Sequence, residues 1–139
     1  VYHPMDDKTI FKKFIAELKR MNYITESLTF GRTKFNGLAK LDDSTYHRRI
    51  DILYTPVSEL AFALLYFTGS GSFNTAFRKI ATKKGYRLNE HGMKHIDPTS
   101  KKPTIPVDRV FRSERDIFDF LGIVYIEPEH REAYNIKLQ

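Results

Sequence analysis

The sequence of 139 residues predicts an α+β fold, an antiparallel sheet with flanking helices followed by a smaller unit of helix, hairpin and helix. Three observations predict it. Strand-like stretches crowd residues 28–54, apolar residues recur at helical spacing on both sides of them, and glycines at 69 and 71 break the chain between the halves.

The first helix is expected from about Asp6 to Met21. Ile10, Phe11, Phe14, Ile15 and Leu18 recur on one face, and Asp6 and Asp7 sit where carboxylates meet the positive end of the helix dipole. Leu28–Arg32, Phe35–Leu41 and Tyr46–Tyr54 then read as strands, with Asn36-Gly37 and Asp42-Asp43-Ser44 as separators. The last two strands should pair antiparallel, because the polar link at residues 41–45 is short. Val1–Pro4 reads as the tail of a further strand, which suggests a piece of a longer chain.

Pro56 ends the third strand, and Val57–Phe67 is apolar enough for a buried helix. Thr68-Gly69-Ser70-Gly71 interrupts it, since glycine tolerates backbone angles that other residues resist. A helix over Ser72–Lys84 follows. Its stripe of Phe73, Ala76, Phe77, Ile80 and Ala81 turns Asn74, Arg78 and Thr82 elsewhere, and Gly85 supplies its C-terminal cap. Tyr86–Asn89 and Met93–Ile96 form a hairpin, Asp97–Pro103 a loop, and Ser113 caps a last helix through Leu121 that ends at Gly122. One boundary is expected near Gly69, giving units of residues 1–69 and 70–139.

Lys and Arg outnumber Asp and Glu by 23 to 17, a formal charge of +6 that suits a polyanionic partner without requiring one. The absence of cysteine excludes disulfides, thiolate zinc sites and cysteine nucleophiles. The longest apolar run, Leu60–Phe67, is too short to span a bilayer, so no membrane partner is implied.

Several polar residues invite a chemical reading beside a structural one. Asp51 lies between Ile50 and Ile52, where an aspartate is expensive unless it pairs with an arginine or performs a task. Arg49 shares its strand face, whereas Arg48 points the opposite way and His47 reads as a strand-surface residue. Asp6-Asp7 and Asp42-Asp43 are adjacent, so in a strand each pair would face opposite sides and could not act together. Tyr66 and Phe67 put two rings at a turn, either as core or as a place for a flat nucleotide, and Gly69 permits close backbone approach. Asn74 and Arg78, four apart, share a helix face that is either solvated or aimed along a groove. Lys79, Lys83, Lys84 and Arg87 could attract phosphate or be ordinary surface. His91 and His95 have helical metal spacing but fall in the hairpin, where that spacing does not converge.

Three segments in fixed order carry a resemblance. Tyr46-His47-Arg48-Arg49-Ile50-Asp51-Ile52, then Ala63–Ser70 with Phe73-Asn74 and Arg78, then Asp116–Gly122 with Tyr125 and Glu127-Pro128 resemble the family X DNA polymerases, the repair class of polymerases beta and lambda. Gly85 and Leu88–Gly92 fit between them, so the likeness spans nearly the whole chain. The resemblance implies the C-terminal part of a palm domain at residues 1–69 and a thumb domain at 70–139. It implies template-directed addition of deoxynucleotides to a primer 3′-hydroxyl, at short gaps or broken ends, in excision repair or end joining. Two Mg²⁺ ions, or Mn²⁺, about 4 Å apart would serve that transfer. DNA and deoxynucleoside triphosphates are the implied partners, with repair proteins reached through regions upstream, and the nucleus is the implied location.

By the same resemblance Asp51 is the third metal-binding aspartate and Arg49 its catalytic companion. Tyr66, Phe67, Gly69, Ser70 and Asn74 are implied for the nucleotide, with Tyr66 and Phe67 excluding a 2′-hydroxyl and the Gly69-Ser70 peptide expected to be cis. Arg78, Lys79, Asn89 and Glu90 are implied for DNA, where an amide and a guanidinium can reach minor-groove acceptors that nearly all base pairs share. The family's paired aspartates are expected upstream of Val1, so the chain alone is expected not to polymerise. Gly71 departs from polymerase beta, which has an aspartate there, and Tyr66-Phe67 replaces the Gly-Trp of template-independent transferases. The nearest pattern is lambda-like, a group that includes fungal end-joining polymerases; a viral origin stays open. A noncatalytic DNA-binding or end-bridging module, and a nucleotidyltransferase with another acceptor, remain alternatives.

Overall fold

Helix α1 (Thr9–Arg20) forms where the apolar spacing places it, and it buries Phe11 and Ile15. Asp7, just before the helix, accepts from the Thr9 amide at 2.9 Å, while Lys19 and Arg20 put the charge the dipole favours in the last turn. In this computed structural model, which describes residues 1–139, the chain divides into two compact units, Val1–Val57 and Ser58–Gln139.

In the first unit α1 covers one face of an antiparallel sheet of β1 (Ile24–Phe30), β2 (Lys34–Ala39) and β3 (Arg48–Leu53), in that order. Phe11, Ile15, Ile24, Phe35, Ile52 and Tyr54 make its core. Burying each such side chain contributes about 1.5–3 kcal/mol, which is what fixes the register of the alternating strands. Val1 exchanges backbone bonds of 2.8 Å with Leu53 and Thr55, but Val1–Pro4 forms no regular strand.

One separator is corrected. The turn between β1 and β2 lies at residues 31–33, closed by the Gly31 amide on the Lys34 carbonyl at 2.8 Å, and Asn36-Gly37 sits inside β2. The physical reason is packing. A Cβ on Gly37 would come within 2.3 Å of the Glu26 carbonyl oxygen and 2.6 Å of the Phe35 ring, so glycine is needed here for close approach and not for a turn.

In the second unit α2 (Leu60–Thr68) and α3 (Gly71–Lys83) meet at Gly69, a sheet of β4 (Tyr86–Asn89), β5 (Gly92–Ile96) and β6 (Pro103–Pro106) follows, and α4 (Glu114–Phe120) closes the core. Phe62, Leu65, Phe73, Phe77, Leu88 and Phe118 are among its buried members. Ser113 and Asp116 form a reciprocal capping box on α4. The boundary expected between residues 69 and 70 differs from the packing, in which α2 joins the second unit because Ala61, Phe62 and Leu65 share the core with Phe73 and Phe77.

The loop expected over Asp97–Pro103 runs at its last residue into strand β6 (Pro103–Pro106), which the spacing of residues does not predict. Two prolines argue against a strand in general, but β6 is at the sheet edge, where a missing amide donor costs no ladder bond.

Candidate functional site

The first unit presents a polar row on the sheet face away from α1. Thr29, Asn36 and Asp51 are direct partners across β1, β2 and β3. The Thr29 hydroxyl donates to Asn36 Oδ1 at 2.8 Å, Asn36 Nδ2 donates to Asp51 Oδ1 at 2.7 Å, and Arg49 Nε donates to that same oxygen at 2.9 Å. These bonds, the Asn36 amide first and the Arg49 side chain second, hold the Asp51 carboxyl below the usual aspartate range, aided by the positive charges of Arg49 and Lys34.

The expected cost of Asp51 is corrected as well. Its side chain is 46% exposed, so no desolvation penalty singles it out; strand alternation sends Ile52 to the core and Asp51 outward. Arg49 does share its face and touches it. His47 lies just before β3, with Nδ1 2.8 Å from the Thr25 hydroxyl.

A single ionised, outward carboxylate fits a divalent cation as one ligand, since magnesium takes one or two protein carboxylates and completes its shell with water and phosphate. No group of three His, Asp or Glu side chains gathers anywhere in the chain.

The second unit gathers four of the expected residues. Tyr66, Asn74, Arg78 and Asn89 line one narrow surface groove together with Phe62, Leu65, Phe77 and Leu88, with room for about one water. Tyr66 ends α2 and stands edge-on to Phe67, ring centroids 5.0 Å apart. Asn74 Nδ2 donates to the Tyr66 carbonyl at 2.7 Å, which ties α3 to the end of α2. The Arg78 guanidinium lies 6.0 Å from the Tyr66 ring centroid and makes no salt bridge. Asn89 Oδ1 accepts from the His91 and Gly92 amides, which fixes the hairpin turn behind it. Lys79 and Glu90 do not line this groove. Phe67 stands 58% exposed beside it.

The bend between α2 and α3 has Gly69 at φ +68° and a cis Gly69-Ser70 peptide, as expected. Ser70 caps α3 by accepting from the Phe73 amide. Behind the bend are contacts that sequence spacing gave no means of finding. The Ser70 and Ser72 hydroxyls each donate to Glu132 Oε2 at 2.9 Å, and the Ser70 amide donates to the Arg131 carbonyl at 3.1 Å. Asn36 was overlooked for another reason: Asn-Gly is the usual signature of a hairpin turn, which masked a strand residue. His91 pairs with Glu59 at 3.0 Å and His95 lies against the Tyr86 ring, so the two histidines have separate partners.

Comparison with known proteins adds two family matches, DNA polymerase beta palm over residues 3–57 and DNA polymerase beta thumb over residues 63–132. DNA polymerase lambda of Rattus norvegicus is 34% identical over 132 residues, covering 88% of this chain and 23% of that protein. DNA polymerase lambda of Arabidopsis thaliana is 30% identical over 146 residues, covering 94% of this chain and 28% of its own length. The chain thus spans about a quarter of the length of these relatives.

Proposed function

The chain belongs to the family X DNA polymerases, and from that premise we propose that it serves template-directed addition of deoxynucleotides to a primer 3′-hydroxyl at short gaps or broken ends. The observation that carries the reading is the convergence of Tyr66, Asn74, Arg78 and Asn89 on one groove. An aromatic ring, an amide and an unpaired guanidinium together suit a base pair whose shape must be tested without reading its sequence.

In this reading Asn74 holds the Tyr66 backbone, which keeps the Tyr66 and Phe67 rings where the sugar of the incoming nucleotide would lie. Gly69 and Ser70 shape the bend beside them. Arg78 and Asn89 reach the minor-groove side of the template pair, and Lys79 and Glu90 contact DNA outside the groove. Asp51 supplies one carboxylate to a magnesium or manganese ion, oriented by Arg49, and the ion supplies Lewis-acid assistance to phosphoryl transfer when bound. In this reading the other carboxylates of that centre come from outside residues 1–139, in line with the lack of a cluster of three within them, and the chain alone does not polymerise. The same reading puts its site of action in the nucleus, in excision repair or end joining.

Incorporation of a nucleotide on gapped DNA by the parent protein and its Asp51→Ala variant tests the reading. Loss of incorporation with DNA binding retained supports it. Full activity in the variant removes the metal role of Asp51, and an inactive parent that still binds gapped DNA favours a noncatalytic end-bridging module instead.

A further inference from the structure

Asn36 is the buried polar side chain of the first unit, 8% exposed, and a buried amide costs about 1–3 kcal/mol unless its ends are satisfied. Both ends are. Oδ1 accepts from Thr29, Nδ2 donates to Asp51, and the three residues stand in one row of strand partners. Turned over, the amide would press its oxygen against a carboxylate oxygen, so the chemistry of the row allows one orientation. Arg49 Nε adds its bond to the same Asp51 Oδ1, and Oδ2 accepts from no group in the chain.

We propose that Asn36 is a positioning residue that commits Asp51 Oδ1 to the protein and leaves Oδ2 as the single oxygen offered to a divalent cation. The inference rests on the metal role given to Asp51 above, and it goes further by naming the device that aims the carboxylate. Arg49 alone would be a poor clamp, because an exposed ion pair of 59% and 46% side-chain exposure holds its geometry weakly. A buried amide pinned between two strands is rigid, and such partners of a metal-binding carboxylate set its direction.

The test uses the parent protein with two variants, Asn36→Leu, which removes the donor at similar volume, and Thr29→Val, which removes the group that orients the amide. Two quantities are read by NMR: the χ1 rotamer population of Asp51 from three-bond couplings, and broadening of Asp51 resonances by added Mn²⁺. The wild-type parent is expected to hold one rotamer and broaden with Mn²⁺. In Asn36→Leu the rotamers should average and the Mn²⁺ midpoint rise about tenfold. Thr29→Val should fall between, and it decides the matter if Asn36→Leu does not fold. Unchanged rotamers and midpoint in a folded variant overturn the role of Asn36 while the metal reading stands. Absence of Mn²⁺ broadening at Asp51 in the parent protein, where the other carboxylates of the centre are present, overturns the metal reading of Asp51, and this inference with it.

Discussion

The guanidinium of Arg131 is fully buried and lies 2.6 Å from the carboxylate of Glu114, the first residue of α4. Its Nε also donates to the Ile126 carbonyl, and the Phe118 and Tyr125 rings flank it. The segment that carries it supplies the carbonyl and carboxylate behind the Gly69-Ser70 bend. Removing Glu114 leaves a buried charge uncompensated, so Glu114→Ala should cost roughly 3 kcal/mol. Replacing both partners, as in Glu114→Ala with Arg131→Met, should recover most of that loss, because neither charge is then buried. Urea unfolding of the two single variants and the double variant checks this; additive losses would contradict it.

Gly37→Ala should destabilise the first unit by about 2 kcal/mol, at the middle of the range for overpacked sites. The new methyl would meet the Glu26 carbonyl oxygen, which is backbone and cannot swing aside, as well as the Phe35 ring. Gly71→Ala serves as the comparison, since nothing lies within 4 Å of a Cβ there and its φ is ordinary. Thermal unfolding should show a clear loss for the first and little change for the second.

Acid should loosen α4. The Asp116 carboxyl is held below the usual aspartate range by the Arg112 and Ser113 amides, which donate to it at 2.8 and 3.0 Å, with the charge of Arg109 in support. A folded-state value below the unfolded one means the contribution is complete above about pH 4, the ordinary aspartate value, and is lost as pH falls through the lower folded value. Asp116→Asn should therefore lower stability at neutral pH and flatten its fall below about pH 4. Unfolding midpoints measured from pH 7 to pH 2.5 check the slope.

The helices were legible in the sequence because their apolar residues and caps repeat locally. Phe73, Phe77 and Ala81 were buried as their spacing required, and Ser113 and Gly122 ended α4 where expected. β6 was not legible, since pairing with β5 rather than composition makes Pro103–Pro106 a strand. Asp51 and Arg49 were visible as neighbours on one strand face. Asn36 was not, because its meaning comes from its strand partner fifteen residues on. Glu132 is sixty-two residues from Ser70, beyond any local pattern. Contacts set by tertiary pairing leave no period in the chain, and both hidden residues, Asn36 in the first unit and Glu132 in the second, make contacts of that kind.

Arg78 gives the sharpest test of the groove in the second unit. It is exposed, free of any salt bridge, and held only by its approach to the Tyr66 ring, so its loss should barely change stability. In the parent protein Arg78→Ala should lower kcat/KM for nucleotide incorporation on gapped DNA about tenfold, equivalent to about 1.4 kcal/mol. Arg78→Lys should restore only part of this, because a lysine keeps the charge without the planar fork that stacks and donates in two directions. Tyr66→Ala should act on a different quantity. Removing the ring at the end of α2 opens space beside the expected sugar position, so the preference for deoxyribonucleotides over ribonucleotides should fall while DNA affinity is kept. Paired measurements of both nucleotides with each variant separate the roles: a uniform loss for Arg78 and a selective one for Tyr66. If both variants lose activity in equal proportion for both nucleotides, the groove acts as a fold element and the assignment of its two ends is wrong.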